Sequence, residues 1–300
     1  MIIDCYTHVW EHPSELGRCI PANGRNGASK GDMDRAGPTR HLAAAEPVSA
    51  TFVLGFKSRY LGADIPNEKI SAYMRTHPGR LIGFAGIDLT FPRAAVAELR
   101  RTKSDLGLAG LALAPAAQDF HPSCGAAMQL YAEAAGLGLP VLFHTGIFTT
   151  ASTILEYARP MLLDEVAREF PELRIVIAHM GYPWVHETIA LLAKHANVYA
   201  EISGLLAQPW QAYQALLSAS QMGVISKLLF GSGFPSGSAA QCIEELYGIN
   251  HLCQGTNLPP IPREQLRGIV ERDALAALRI PVPSGMSKTS RNLTEADEET

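Results

Sequence analysis

Five side chains of types that bind metals or move protons, those of His8, Asp88, His144, His179 and Glu201, stand at or near the ends of short apolar runs in this 300-residue chain. His8 follows MIIDCYT, His144 closes LPVLFH, His179 closes LRIVIAH, and Glu201 lies in NVYAEIS. Imidazoles gathered from separate strands are the usual material of a zinc or similar centre. A single histidine at a strand end can equally cap a loop by hydrogen bonding, but three at the ends of three strands point to a shared site. Side chains alternate along a strand, so Asp4, Tyr6 and His8 of DCYTHVW are expected on one face, with Tyr6 where a metal-binding strand would carry another ligand. Asp88, closing LIGFAGID, and Glu201 read first as residues that orient loops or histidines. Glu201 is also a candidate substrate contact, as are Tyr6 and, in DFHP, His121. His12, His41, His77, His186, His195 and His251 fall in loops or on helix surfaces and read as solvated or capping.

The elements that must position these groups follow a regular rhythm. Eight runs rich in β-branched and aliphatic residues begin at Met1, Ala50, Leu81, Leu108, Leu139, Leu173, Asn197 and Lys227. Most are followed by segments of helical spacing, such as AAVAELRR, AAMQLYAEAAG, ARPMLLDEVAREF, WVHETIALLAKHA and AAQCIEELYG. Continuous apolar strands covered by helices belong to a parallel sheet buried on both faces. Eight such units predict a single-domain α/β protein, a (β/α)8 TIM barrel spanning residues 1–283, with its chemistry at the C-terminal ends of the strands. A doubly wound sheet would need a glycine-rich phosphate turn after the first strand, where Asp4-Cys5-Tyr6-Thr7-His8 stands instead. Residues 11–47 are too long for an ordinary connection and are expected to form a lid. Residues 284–300 are polar, end acidic and are expected to be a disordered tail.

Composition narrows the partners. A formal net charge of -4, with 18% charged and 47% apolar residues, gives no polyanion-binding surface and argues against nucleic acid. No apolar run approaches the roughly 20 residues of a membrane helix, and the five cysteines are scattered and read as reduced thiols. A cytoplasmic protein acting on or binding a small molecule is expected.

The phrases IIDCYTHVW, LPVLFHTG, IVIAHMGYPW, NVYAEISG and LLFGSGFP, in that order, resemble the amidohydrolase-related family, in the branch that includes aminocarboxymuconate-semialdehyde and resorcylate decarboxylases. The likeness runs from Met1 to about Pro283. It implies a (β/α)8 barrel, a divalent metal that is commonly zinc, and hydrolysis or non-oxidative decarboxylation of small carbonyl or carboxylate compounds. Relatives often form dimers, so a homodimer is implied too. Relatives open with Asp-x-His-x-His; here His8 matches the second metal-binding histidine and Tyr6 replaces the first. His144 matches the strand-five ligand, and His179 the strand-six histidine that polarises substrate or activates water. Gly233 stands where the strand-eight motif carries a metal-binding, proton-handling aspartate, and Ala112 where many relatives carry lysine.

A phenol with a reference pKa of about 10 is a poor zinc ligand unless the metal strips its proton, and glycine has no side chain to offer. Two readings are therefore open. One is a metal-free or weakly metal-binding, catalytically impaired barrel that holds a small molecule or a partner. The other is an active hydrolase or carboxy-lyase with His179 as acid/base and His8 and His144 as metal ligands.

Overall fold

The computed structural model describes residues 1–19, 36–146, 150–283 and 285–286. Eight strands form one parallel sheet in chain order: β1 (Ile3–Thr7), β2 (Ala50–Leu54), β3 (Leu81–Gly86), β4 (Gly110–Leu113), β5 (Val141–Phe143), β6 (Ile175–Ile177), β7 (Val198–Glu201) and β8 (Leu228–Leu229). The chain after β8 returns to β1 and brings the sheet round into a barrel. Cys5 N–H donates to the Phe230 carbonyl at 2.9 Å, Gly233 N–H to Tyr6 O at 3.0 Å and His8 N–H to Phe234 O at 3.0 Å. This is the (β/α)8 barrel that the eight runs predict.

The strands read as unbroken apolar runs because both faces are covered. Phe52, Leu54, Ile82, Phe84, Ala112, Leu142, Val176 and Leu229 fill the barrel interior, with Phe52 and Phe84 packed at 4.7 Å between ring centroids. Alternate residues such as Val53, Ala85, Leu111, Val141 and Ile175 meet the helices outside. Those helices carry apolar side chains at three- and four-residue spacing: Ala95 and Leu99 in Pro92–Ser104, and Val185, Ile189 and Leu192 in Val185–Lys194. Ala274, Leu275 and Leu278 of the last helix join the interior cluster with the strand-start residues Ile3, Ala50 and Ile82, closing the end opposite the site.

The structure departs from the sequence expectations in identifiable ways. β1 continues to Thr7, and its pairing with β2 slips between Asp4 and Thr7, where three steps on β1 match two on β2. One extra residue on one strand is a β-bulge, and it breaks the alternation. Cys5 and Tyr6, adjacent in sequence, both pack in the interior cluster, so the expected single face for Asp4, Tyr6 and His8 does not hold for Asp4. An antiparallel hairpin, Phe56–Ser58 with Ala63–Ile65, follows β2 without a clear sequence signal, because its strands are only three residues long. The helices Pro209–Gln221 and Arg263–Glu271 add to the outer layer through Ala212, Leu216, Leu266 and Ile269.

Of the expected 11–47 lid, residues 20–35 lie outside the described residues. Its first part is a 3-10 segment, Pro13–Cys19, docked on the hairpin through Arg18 N–H to Leu61 O at 2.8 Å. Its last part is the helix Pro38–Ala44. The expected acidic tail also lies outside the described residues, apart from residues 285–286. Among the described residues, no helix is long and apolar enough to cross a membrane.

Candidate functional site

The bulge at the end of β1 turns Tyr6 into the centre of the barrel mouth. Its ring lies 5.1 Å from His8, 5.9 Å from His144 and 4.6 Å from His179 between centroids, and His144 and His179 are 4.9 Å apart. The three strand-end histidines therefore converge, as their spacing predicts, with a phenol among them.

Hydrogen bonding determines which nitrogen carries each proton. His8 Nδ1 is 3.0 Å from the Leu54 carbonyl, which can only accept, so Nδ1 is protonated and Nε2 presents its lone pair. That lone pair meets the Tyr6 hydroxyl at 3.2 Å, and His144 Nδ1 contacts the same hydroxyl. With one proton to give, Tyr6 donates to His8 and accepts from His144 Nδ1–H; the opposite assignment would set two lone pairs against each other. Burial pushes the phenol well above its usual pKa, and Glu201 adds to the shift. Burial also lowers His8 to about 4 and His144 well below the usual imidazole value. The cluster is neutral.

His179 is held from behind. Its Nδ1–H donates to Ser203 O at 2.9 Å, and its backbone N–H donates to Glu201 Oε1 at 2.7 Å. His179 and Met180 both adopt left-handed backbone, φ 55° and 48°, which costs non-glycine residues on the order of 1 kcal/mol each. Glu201 sustains this turn: it also accepts from Ser203 N–H at 2.6 Å and from Ser203 Oγ at 2.8 Å. The carboxylate is fully buried, and burial raises its pKa to about 7 despite these donors. Burial lowers His179 to about 3, so it is neutral as well.

Asp4 sits behind the site rather than in it. Oδ1 accepts from Ser232 N–H at 2.9 Å and Tyr6 N–H at 3.2 Å, while Oδ2 is buried without a hydrogen-bond partner among the described residues. Burial raises this carboxyl to about 6. It ties the β8 turn to β1, which fixes where Tyr6 and Gly233 stand.

The cavity above the cluster has a volume of about 160 Å3 and opens to solvent. Tyr6, His8, His144 and His179 form its polar floor; Trp10, Leu16, Leu54, Phe56, Leu113, Leu142 and Phe234 are among its apolar walls. Leu16, Cys19 and Phe56 show that the docked 13–19 segment and the hairpin contribute to it.

The remaining sequence candidates lie elsewhere. Glu201 does not line the cavity but supports His179, and His121 packs edge-on against Tyr157 at 5.7 Å, away from the cavity wall. Asp88 accepts from Arg59 N–H at 2.8 Å and Thr90 N–H at 2.9 Å, organising a loop. His41, expected to be solvated or capping, is buried, and so is His195, which does cap the helix Val185–Lys194. His41 bridges Tyr73 and Thr7, both at 2.9 Å, and His195 meets Asp164 at 2.7 Å; polar partners distant in sequence made burial tolerable. Ser203 carries no sequence signal of its own, because its role depends on β6 and β7 being neighbours.

Glu201→Leu leaves two backbone N–H groups and the Ser203 hydroxyl without their acceptor, at roughly 1–3 kcal/mol each. A loss of about 3 kcal/mol or more in urea unfolding is expected. A loss below about 1 kcal/mol would show that the turn holds itself.

Comparison with known proteins places the barrel. A family model described as amidohydrolase matches residues 3–280. An uncharacterised TIM-barrel protein from Bordetella bronchiseptica is 21% identical, with a TM-score of 0.67 over 93% of this chain and 99% of that one. The 5-carboxyvanillate decarboxylase of Sphingomonas paucimobilis is 15% identical, with a TM-score of 0.67 over 93% and 99%. A dihydroxybenzoic acid decarboxylase from a Polaromonas species, solved with manganese and the inhibitor 2-nitroresorcinol, is 14% identical with a TM-score of 0.64 over 93% and 96%.

Proposed function

Because the chain belongs to the amidohydrolase family, we propose that it is a small-molecule-binding barrel of that family whose metal centre has been replaced by a tyrosine held between two histidines, with catalytic turnover impaired. The observation that carries this reading is the Tyr6 hydroxyl, which faces both His8 Nε2 and His144 Nδ1. A divalent ion at this point would need the same two nitrogens that the phenol engages. The phenol itself is a poor substitute ligand, since it must give up its proton before it can bind an ion. Position 233 contributes no side chain, and among the described residues no group of three or more His, Cys, Asp or Glu side chains is arranged to hold a metal ion. The residues present do not fit the manganese or zinc expected of relatives.

A second reading, an active hydrolase or non-oxidative decarboxylase, draws support from His179. It lines the cavity with its tautomer held by Ser203 and its backbone by Glu201, an arrangement suited to an acid/base group. In this reading His8 and His144 are metal ligands.

One preparation separates the two. Protein purified without chelators is expected to hold less than about a tenth of an equivalent of zinc or manganese, and to release no carbon dioxide from 5-carboxyvanillate or 2,6-dihydroxybenzoate. Metal at one ion per chain together with turnover would replace the first reading by the second.

A further inference from the structure

His41 touches the framework of the site at two points while standing outside its cavity. It belongs to the helix Pro38–Ala44, is fully buried and does not line the pocket. One point of contact is Thr7, between Tyr6 and His8, where the pairing of β1 with β2 resumes opposite Val53 after the bulge. The other is Phe234, a wall of the cavity, whose ring meets the imidazole edge-on at 5.0 Å between centroids. The Phe234 carbonyl in turn accepts from His8 N–H at 3.0 Å. Tyr6 and His8 therefore flank the first contact, and His8 is hydrogen-bonded to the second.

The protons along the first contact have one consistent order. The Phe52 carbonyl can only accept, so the Thr7 hydroxyl donates to it. Having given its proton, Thr7 Oγ1 accepts from His41 Nε2–H at 2.9 Å, with Thr51 Oγ1 beside it at 3.3 Å. Burial keeps the imidazole neutral, and Arg80 acts in the same sense. The ring then offers its Nδ1 lone pair to the Tyr73 hydroxyl at 2.9 Å, a nearer acceptor than the Pro38 carbonyl at 3.1 Å. From Tyr73 through His41 and Thr7 to Phe52, three donors point the same way and end on β2 beside the bulge. A hydroxyl bonded on both sides is held in one rotamer, and this one fixes β1 between Tyr6 and His8.

We infer that His41 is a positioning residue of the site: through Thr7 and Phe234 it holds the bulge of β1 that carries Tyr6 and His8 to the floor of the cavity. This role is the same whether the Tyr6 phenol or an ion lies between the histidines, so it goes beyond both readings of the function.

Amide hydrogen exchange of the full chain separates this role from that of an ordinary buried histidine. In His41→Leu, which removes both the donor and the acceptor, fragments covering residues 5–8 are expected to exchange about tenfold faster relative to those covering β6, the scale of one or two lost hydrogen bonds. A histidine that only adds to overall stability would accelerate both fragments equally. His41→Gln keeps a donor and an acceptor and should restore most of the protection of residues 5–8. In NMR spectra of labelled histidines, His8 should hold its Nδ1–H form, the one that donates to the Leu54 carbonyl, in the natural chain and in His41→Gln, and lose it in His41→Leu. Tyr73→Phe removes only the first donor, from a half-buried position, and carries the same test if His41→Leu does not fold, with about threefold selective acceleration expected. Equal acceleration of the two fragments, no acceleration, or a His8 that keeps its Nδ1–H form in folded His41→Leu overturns the inference.

Discussion

Tyr6→His combined with Gly233→Asp is expected to turn a chain that holds no stoichiometric metal into one that retains about one equivalent of zinc or manganese through gel filtration. The new imidazole would replace a ring already 5.1 Å from His8, 5.9 Å from His144 and 4.6 Å from His179. With the phenol gone, His8 Nε2 and His144 Nδ1 are released to ligate. The harder change is Gly233, whose φ of +73° lies in the left-handed region, with an added Cβ 3.3 Å from Ser203 Cβ. Aspartate is among the side chains that tolerate this region best, so the cost is about 1–2 kcal/mol. That is small beside the roughly 10–16 kcal/mol with which complete structural zinc sites bind their ion in peptides. Tyr6→Phe is the control: it removes the hydroxyl without adding a ligand and should stay metal-free. If the double variant takes up no more metal than Tyr6→Phe, then Tyr6 and Gly233 are not the positions that a metal centre requires.

Acid should unfold this protein by protonating buried histidines. Burial holds His8 and His41 at about 4 and His179 at about 3, against 6.5 in an unfolded chain, and holds His144 well below its usual value too. A base whose folded pKa is depressed loses stability as pH falls from its unfolded value towards its folded one, because the unfolded chain binds the proton first. Asp4 and Glu201 act in the opposite sense. Burial raises them to about 6 and about 7 from 3.8 and 4.5, so their contribution is complete at low pH and lost as pH rises towards neutrality. At pH of about 5 the buried histidines outweigh the two carboxyls, so unfolding should take up protons net and stability should fall as pH falls. Urea midpoints measured between pH of about 4.5 and 6.5 would reveal this slope. A flat or inverted profile would mean that the histidines are charged in the folded state. Glu201→Gln should steepen the acid dependence, since it removes one of the two opposing groups.

Much of the architecture was legible because it rests on local pattern. Each barrel strand is apolar on both faces, and most helices show three- and four-residue spacing, so the eight β/α units stand out along the chain. The short hairpin did not stand out, since three-residue strands carry too little periodicity. The burial of His41 and His195 is hidden for a related reason. A histidine in a polar stretch looks solvated until Thr7, Tyr73 and Asp164, distant in sequence, supply the partners that allow burial.

The candidate site divides along the same line. Residue types at strand ends marked His8, His144 and His179 as candidates for one shared site, and the family resemblance marked Tyr6 and Gly233 as the positions where its pattern changes. That much follows from sequence because strand ends in a parallel barrel converge whatever the loops do. What Tyr6 does there was decided by tertiary structure. The bulge in β1 moves its hydroxyl between two imidazoles, and the Leu54 carbonyl, a neighbour only through β1–β2 pairing, sets the tautomer that receives its proton. Glu201 and Ser203 became supports of His179 in the same way, through the pairing of β6 with β7. Hydrogen bonds depend on distances of a few tenths of an ångström between groups far apart in the chain, and only the folded backbone sets those distances.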